Sequence, residues 1–227
     1  SRTGEPMTVS FVGSASAIGT SLTLPAHQAG DLLIVAAANS AGTVITVPAG
    51  WFRLHHRNAD STRSLMVAYK IATTAAEVSG TWTNANVMCA AVYRDDTNYI
   101  TIGGMRFSGA TSSTSLFYGP LTATGDTAGL ITPNQWVIAV GMTGSNAGAA
   151  ETAPTGFTNR VSQAGATVTE LAIHDTNATV ASVGALSVTL GVTTASMSVV
   201  ASIEDIGVSK AGGGMLIHPG MSGGMRG

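Results

Sequence analysis

Asp31-Leu-Leu-Ile-Val-Ala-Ala-Ala38 and its echo in the second half of the chain, Gln135-Trp-Val-Ile-Ala-Val140, are the stretches on which the fold turns. Each is a short apolar run set among Gly, Asn, Ser and Pro clusters, the pattern of a strand bounded by turns. Working outward from them, β-type runs recur at Met7–Val12, Ser21–Leu24, Asp31–Ala38, Trp51–His56, Arg63–Ala72 and Val87–Arg94. A second set follows at Ile100–Ser108, Ser115–Tyr118, Gln135–Thr143, Phe157–Ser162, Thr167–Asp175 and Met197–Ile206. No window carries an apolar stripe at helical spacing with caps at both ends, and Thr73–Val78 is the best candidate for a short helical turn. The expectation is an all-β antiparallel sandwich, jelly-roll or Ig-like, with very little helix.

The order of local patterns in the first half returns in the second. Phe11-x-Gly13, Thr20-Ser-Leu22 and Pro25 match Phe107-x-Gly109, Thr114-Ser-Leu116 and Pro120. Pro48-Ala-Gly-Trp51 matches Pro154-Thr-Gly-Phe157, and Met66-Val-Ala-Tyr-Lys70 matches Glu170-Leu-Ala-Ile-His174. Cys89–Asp95 matches Val199–Asp205. Order is kept over a span of roughly a hundred residues, the size of a small domain. The chain is therefore divided into two degenerate pseudo-repeats, 1–98 and 99–208, followed by a Gly/Met-rich segment, 209–227. The junction Asp95-Asp-Thr-Asn-Tyr99 lacks the character of a flexible linker, which favours one compact body.

Composition bounds the function. Charged residues are 10% of the 227-residue chain, against roughly 25% in ordinary soluble domains. The formal net charge is −2 and the mean hydropathy +0.31. A surface so poor in charge is weakly protected against association, and coverage by partners resolves this. Lys and Arg are scattered singly, so no basic face is present to neutralise a phosphate backbone, and nucleic acid is not an expected partner. The longest apolar run, Leu32–Ala38, is far short of the ~20 residues that cross a bilayer, so no membrane partner is expected either. The first residues lack the pattern of a signal peptide, and export is not expected. Cys89 is the only cysteine, so stability must come from packing and backbone pairing.

Candidate chemistry is thin. Gly220-Met-Ser-Gly-Gly224 has the letters of a nucleophile elbow without a strand before it, a helix after it or a later histidine. His55-His56, adjacent on a strand, point to opposite faces and make a poor metal pair. His174-Asp175 has no second ligand cluster, and Asp95-Asp96 reads as turn chemistry. The expectation is no catalytic residue, no metal and no cofactor. Asn177-Ala-Thr179 is a glycosylation sequon without a secretory context. Among the tryptophans, Trp51 and Trp136 read as core, whereas Trp82 in Gly-Thr-Trp-Thr-Asn reads as exposed on a loop and as a possible glycan contact. Met215, Leu216, Ile217, Met221 and Met225, carried on a glycine-rich segment, suit an irregular apolar groove and are the expected partner-binding residues.

Leu24-Pro-Ala-His-Gln-Ala-Gly-Asp-Leu-Leu33, Pro48-Ala-Gly-Trp51 and Ala91-Val-Tyr-Arg-Asp95 together resemble a pattern in structural proteins of tailed bacteriophages, where these turns and strands recur in β-sandwich modules. Pro154–Arg160 followed by His174-Asp-Thr176 is similar to the same group. The resemblance implies a non-enzymatic virion component, such as a capsid decoration or tail-surface protein, assembled in the host cytoplasm. It implies other virion proteins and copies of itself as partners. The alternative class is a receptor- or carbohydrate-binding module on a virion or bacterial surface.

Overall fold

The structure is a computed structural model that describes residues 8–59, 63–122, 135–144, 152–165 and 169–210. Ten strands run β1 Ser10–Ile18, β2 Leu32–Asn39, β3 Phe52–Ala59, β4 Arg63–Ile71, β5 Val87–Arg94, β6 Asn98–Tyr118, β7 Trp136–Thr143, β8 Thr158–Ala164, β9 Glu170–Asp175 and β10 Leu186–Ser209. They form two antiparallel five-stranded sheets, ordered β1-β5-β2-β4-β3 and β6-β10-β7-β9-β8. The second order is the first with every label advanced by five, so each pseudo-repeat folds into one sheet. The sandwich is the expected architecture. Its connectivity differs from jelly-roll and Ig patterns, in which strands alternate between sheets, because this chain completes one sheet before starting the other.

The sheets pack face to face in a pseudo-twofold arrangement: β1 of the first lies against β8 of the second, as β6 lies against β3. The shared core takes alternate residues from both, with Leu32, Ile34, Ala36, Cys89, Ala91 and Tyr93 meeting Trp136, Ile138, Val140, Leu171, Ile173 and Val199. The other residues of β2 and β5 (Leu33, Val35, Ala37, Met88, Ala90, Val92) point outward, yet are buried under Leu22, Ile45, Trp51 and Trp82. A strand buried on both faces needs no polar alternation, which is why β2 and β7 are continuous apolar runs.

The second sheet has a cover of its own making. Ser115–Tyr118 pairs with Leu186–Thr189, while Ser196 Oγ donates to Ser115 O at 3.2 Å and Ser198 Oγ to Phe117 O at 2.6 Å. The distal end of the β6–β10 ladder thus bends back over its own sheet. This places Leu116, Tyr118, Val188 and Leu190 on Val137, Ala139 and Val200. The two separate strand segments read from the sequence, 100–108 and 115–118, are one strand with this bend between them. Ser21–Leu24, expected as a strand, is not one: it crosses the outer face of the first sheet through Trp82 N to Thr20 O and Leu22 N to Ser79 Oγ. Thr73–Val78 is bend, turn and coil rather than helix.

Strand pairing corrects two of the repeat equivalences. Phe52 opposes Tyr69 as Thr158 opposes Asp175, and a bulge falls at Leu54 in β3 and at Arg160 in β8. Tyr69 is therefore the counterpart of Asp175, and Met66 that of Ala172, two residues from the sequence match with Glu170. Phe11 opposes Tyr93 and Phe107 opposes Val199. Because Val199 is the counterpart of Cys89, which opposes Ser16, Phe107 stands where Ser16 stands and not where Phe11 does. The Pro48 and Pro154 turns do correspond: Trp51 N and Phe157 N donate back to the two proline carbonyls at 3.4 and 2.9 Å. Gly50 and Gly156 hold φ of 86° and 85°, a conformation that glycine adopts without strain.

The fold-back depends on one small residue. A Cβ on Gly141 of β7 would lie 2.2 Å from the Tyr118 hydroxyl and 2.9 Å from Leu116 Cδ2. Gly141→Ala should destabilise the protein by about 1–3 kcal/mol through overpacking. The Tyr118 hydroxyl is buried and has no hydrogen-bond partner among the described residues, so Tyr118→Phe should be close to neutral. The double variant should recover most of the loss. Urea unfolding midpoints of the three proteins check this, and a double variant no better than Gly141→Ala would count against the packing described.

Candidate functional site

The pseudo-twofold axis gives the sandwich two edges built from equivalent positions, and the sequence treats them differently. At the β1/β8 edge, bulging at Arg160 directs its guanidinium to the Asp175 carboxylate in a two-pronged bond at 2.7 and 2.9 Å. Asp175 is fully buried and also accepts from the Tyr93 hydroxyl at 3.0 Å, linking the two sheets. The Arg160 guanidinium stands 4.4 Å over the Phe11 ring, a cation–π contact. Phe11 and Trp136 both meet Tyr93 edge-on. Burial, with the Asp175 charge adding to it, pushes the Tyr93 phenol well above its ordinary value, so it stays a hydrogen-bond donor. Ser14 Oγ to Arg160 O and Ser16 Oγ to Gln163 Oε1, both 2.8 Å, close the edge.

At the β3/β6 edge the counterparts are apolar. Leu54 takes the place of Arg160, Tyr69 that of Asp175, Ile102 that of Phe11 and Ile203 that of Tyr93. Here the rings reach solvent. Phe52 is 46% exposed and packs on Tyr69 at 5.6 Å, and Phe107 is 54% exposed and stacks on His55 at 4.4 Å. Leu54 and Met105 lie beneath, half-buried against the core. This aromatic strip is the candidate functional site. It offers dispersion and ring-stacking surface.

Trp82 is a correction. It is fully buried, its indole N–H donates to Ser79 O at 3.0 Å, and its ring meets Trp51 edge-on at 5.7 Å. Its polar neighbours signal an exposed loop, but the ring itself is the lid of the first sheet's outer face and offers nothing to a sugar. Met215, Leu216, Ile217, Met221 and Met225, with the Gly220–Gly224 motif, lie outside the described residues. His174 and Asp175 point to opposite faces of β9. His174 is buried beside Tyr118 while Asp175 faces the core, so they form no joint acid–base site. Among the described residues, no group of three or more His, Cys, Asp or Glu is arranged to hold a metal ion.

The motif residues carry structural work. Asp31, fully buried, receives both prongs of Arg94 at 2.8 and 2.7 Å and the Gln28 amide at 2.8 Å, tying the start of β2 to the end of β5. Asp95 accepts from the amides of Thr8, Thr97 and Asn98 and from the Thr97 hydroxyl, fixing the junction between repeats. Burial pushes its carboxyl up, but these donors outweigh it and hold it below the ordinary range. Cys89 is buried between the sheets, where desolvation raises its thiol far above the usual value and leaves it inert. A shallow serine-lined depression over Ser108, Ser113, Ser115 and Ser196 lies where the ladder bends back. Compared with protein-family models, curated proteins and solved structures, the chain matches none.

Proposed function

We propose that this protein is a non-enzymatic structural component of a phage virion, present in multiple copies on the head or tail and anchored through its C-terminal segment. The observation that carries the reading is the exposed aromatic strip of Phe52 and Phe107 on a chain with 10% charged residues. Apolar rings left in water beside so few ionic groups favour association through burial. The phage assignment rests on the sequence resemblance, and the residues that carry it, Asp31, Trp51, Tyr93 and Arg94, sit in turns and in the core. The glycan-binding alternative loses the one ring singled out for it with the burial of Trp82.

The test is incorporation. A tagged chain lacking residues 212–227, produced alongside the other virion proteins, should remain folded and be missing from purified particles that the full chain enters. Incorporation of the truncated chain at the level of the full one would reject the anchoring role.

A further inference from the structure

Resting on the assembly reading above, we propose that the aromatic strip at the β3/β6 edge is the receptor for the C-terminal segment, residues 211–227, of a second copy of this chain.

Three observations lead there. The first is the internal comparison between the two edges. At β1/β8 an arginine, an aspartate and two serine bridges seal the sandwich, whereas at the equivalent β3/β6 positions Leu54, Tyr69 and Ile102 leave Phe52 and Phe107 open. One fold thus displays, at equivalent positions, an edge sealed by polar bonds and an edge that presents two half-exposed rings.

The second is where the chain leaves. Lys210 is fastened beside the start of β6, its amide donating to Thr97 O at 2.8 Å and its ammonium to Asp95 O at 2.6 Å. The strip begins a few residues along β6, at Ile102, and runs to Phe107. The segment beyond Lys210 has 17 residues, an extended reach of up to about 60 Å. That is enough to leave one body and lie along the edge of another.

The third is chemistry. The segment places Met215, Leu216, Ile217, Met221 and Met225 among glycines, with His218 and Arg226 as its only ionisable side chains. Thioethers pack favourably against aromatic rings and adapt to irregular surfaces, and glycine lets the backbone approach them closely. On the receiving side the strip presents the Phe52, Tyr69 and Phe107 rings, with the His55 imidazole stacked among them, so thioether and ring surfaces match in kind.

The experiment uses two full-length variants. One carries Met215→Ser, Leu216→Ser and Ile217→Ser and keeps its strip; the other carries Phe52→Ser and Phe107→Ser and keeps its C-terminal segment. Both rings are about half exposed, so the variant should keep the parent's circular dichroism and unfold cooperatively at a modestly lower urea midpoint. Sedimentation velocity is then run on the parent, on each variant alone and on an equimolar mixture. The expected result is self-association of the parent, at least about a tenfold weaker association for each variant, and recovery of a two-chain species in the mixture. A parent that associates while both variants associate equally well overturns the strip contact and leaves the assembly reading standing. A parent that stays monomeric at high concentration overturns both.

Discussion

Asp175→Ala will lower the stability of the isolated protein by about 3–5 kcal/mol, the range found when one partner of a buried ion pair is removed and the other charge is left behind. The carboxylate is fully buried and serves three donors: the Arg160 guanidinium through two nitrogens, the Tyr93 hydroxyl and the Asn177 amide. Alanine leaves the phenol at the meeting of the two sheets without its acceptor and the guanidinium with only the Asn177 side-chain oxygen. Arg160→Leu in the Asp175→Ala background should recover part of the loss, since the β3/β6 edge already uses Leu54 at that position. The measurement is the denaturant midpoint at constant slope. An Asp175→Ala protein within about 1 kcal/mol of the parent would show that the network contributes little.

Trp82→Ala will cost about 3–5 kcal/mol as well, through the cavity left by a large buried ring. The indole fills the space between Trp51 and the outward-facing residues of β2 and β5, and its N–H is satisfied by Ser79. Trp82→Phe keeps most of the apolar contact and loses one hydrogen bond, so it should cost less. Thermal or urea unfolding followed by far-UV circular dichroism separates the two variants. A Trp82→Ala protein of parental stability would mean that the ring is a surface group after all.

The sandwich and its two repeats were readable because they rest on local signals. The Pro-x-Gly turns before Trp51 and Phe157, the apolar runs of β2 and β7 and the Cys89–Asp95 and Val199–Asp205 strands each depend on neighbours in the chain. The register between repeats was less legible. Phe107 matched Phe11 in local pattern, yet the bulges between Phe11 and Gly13 and between Ile102 and Met105 shift the two strands by different amounts. A bulge adds a residue without a sequence signature strong enough to count.

Trp82 misled for a related reason. Threonines on either side of it look like a solvated loop, and only the sheet beneath shows that the ring is folded down onto apolar residues of β2 and β5. The aromatic strip was likewise out of reach of the sequence. Phe52 and His55 belong to the first repeat and Phe107 to the second, and Arg160 meets Phe11 across most of the chain's length. Nothing local distinguishes the edge that an ion pair closes from the edge left open.

Taken by itself, the order of residues determined the all-β class, most of the strands, the proline turns and a composition poor in charge, since these follow from the side chain at each position and those a few places away. Tertiary structure alone decided which side chains are lids, which edge is sealed and which rings face water. Those outcomes depend on contacts between residues that only the packing of one sheet on the other brings together.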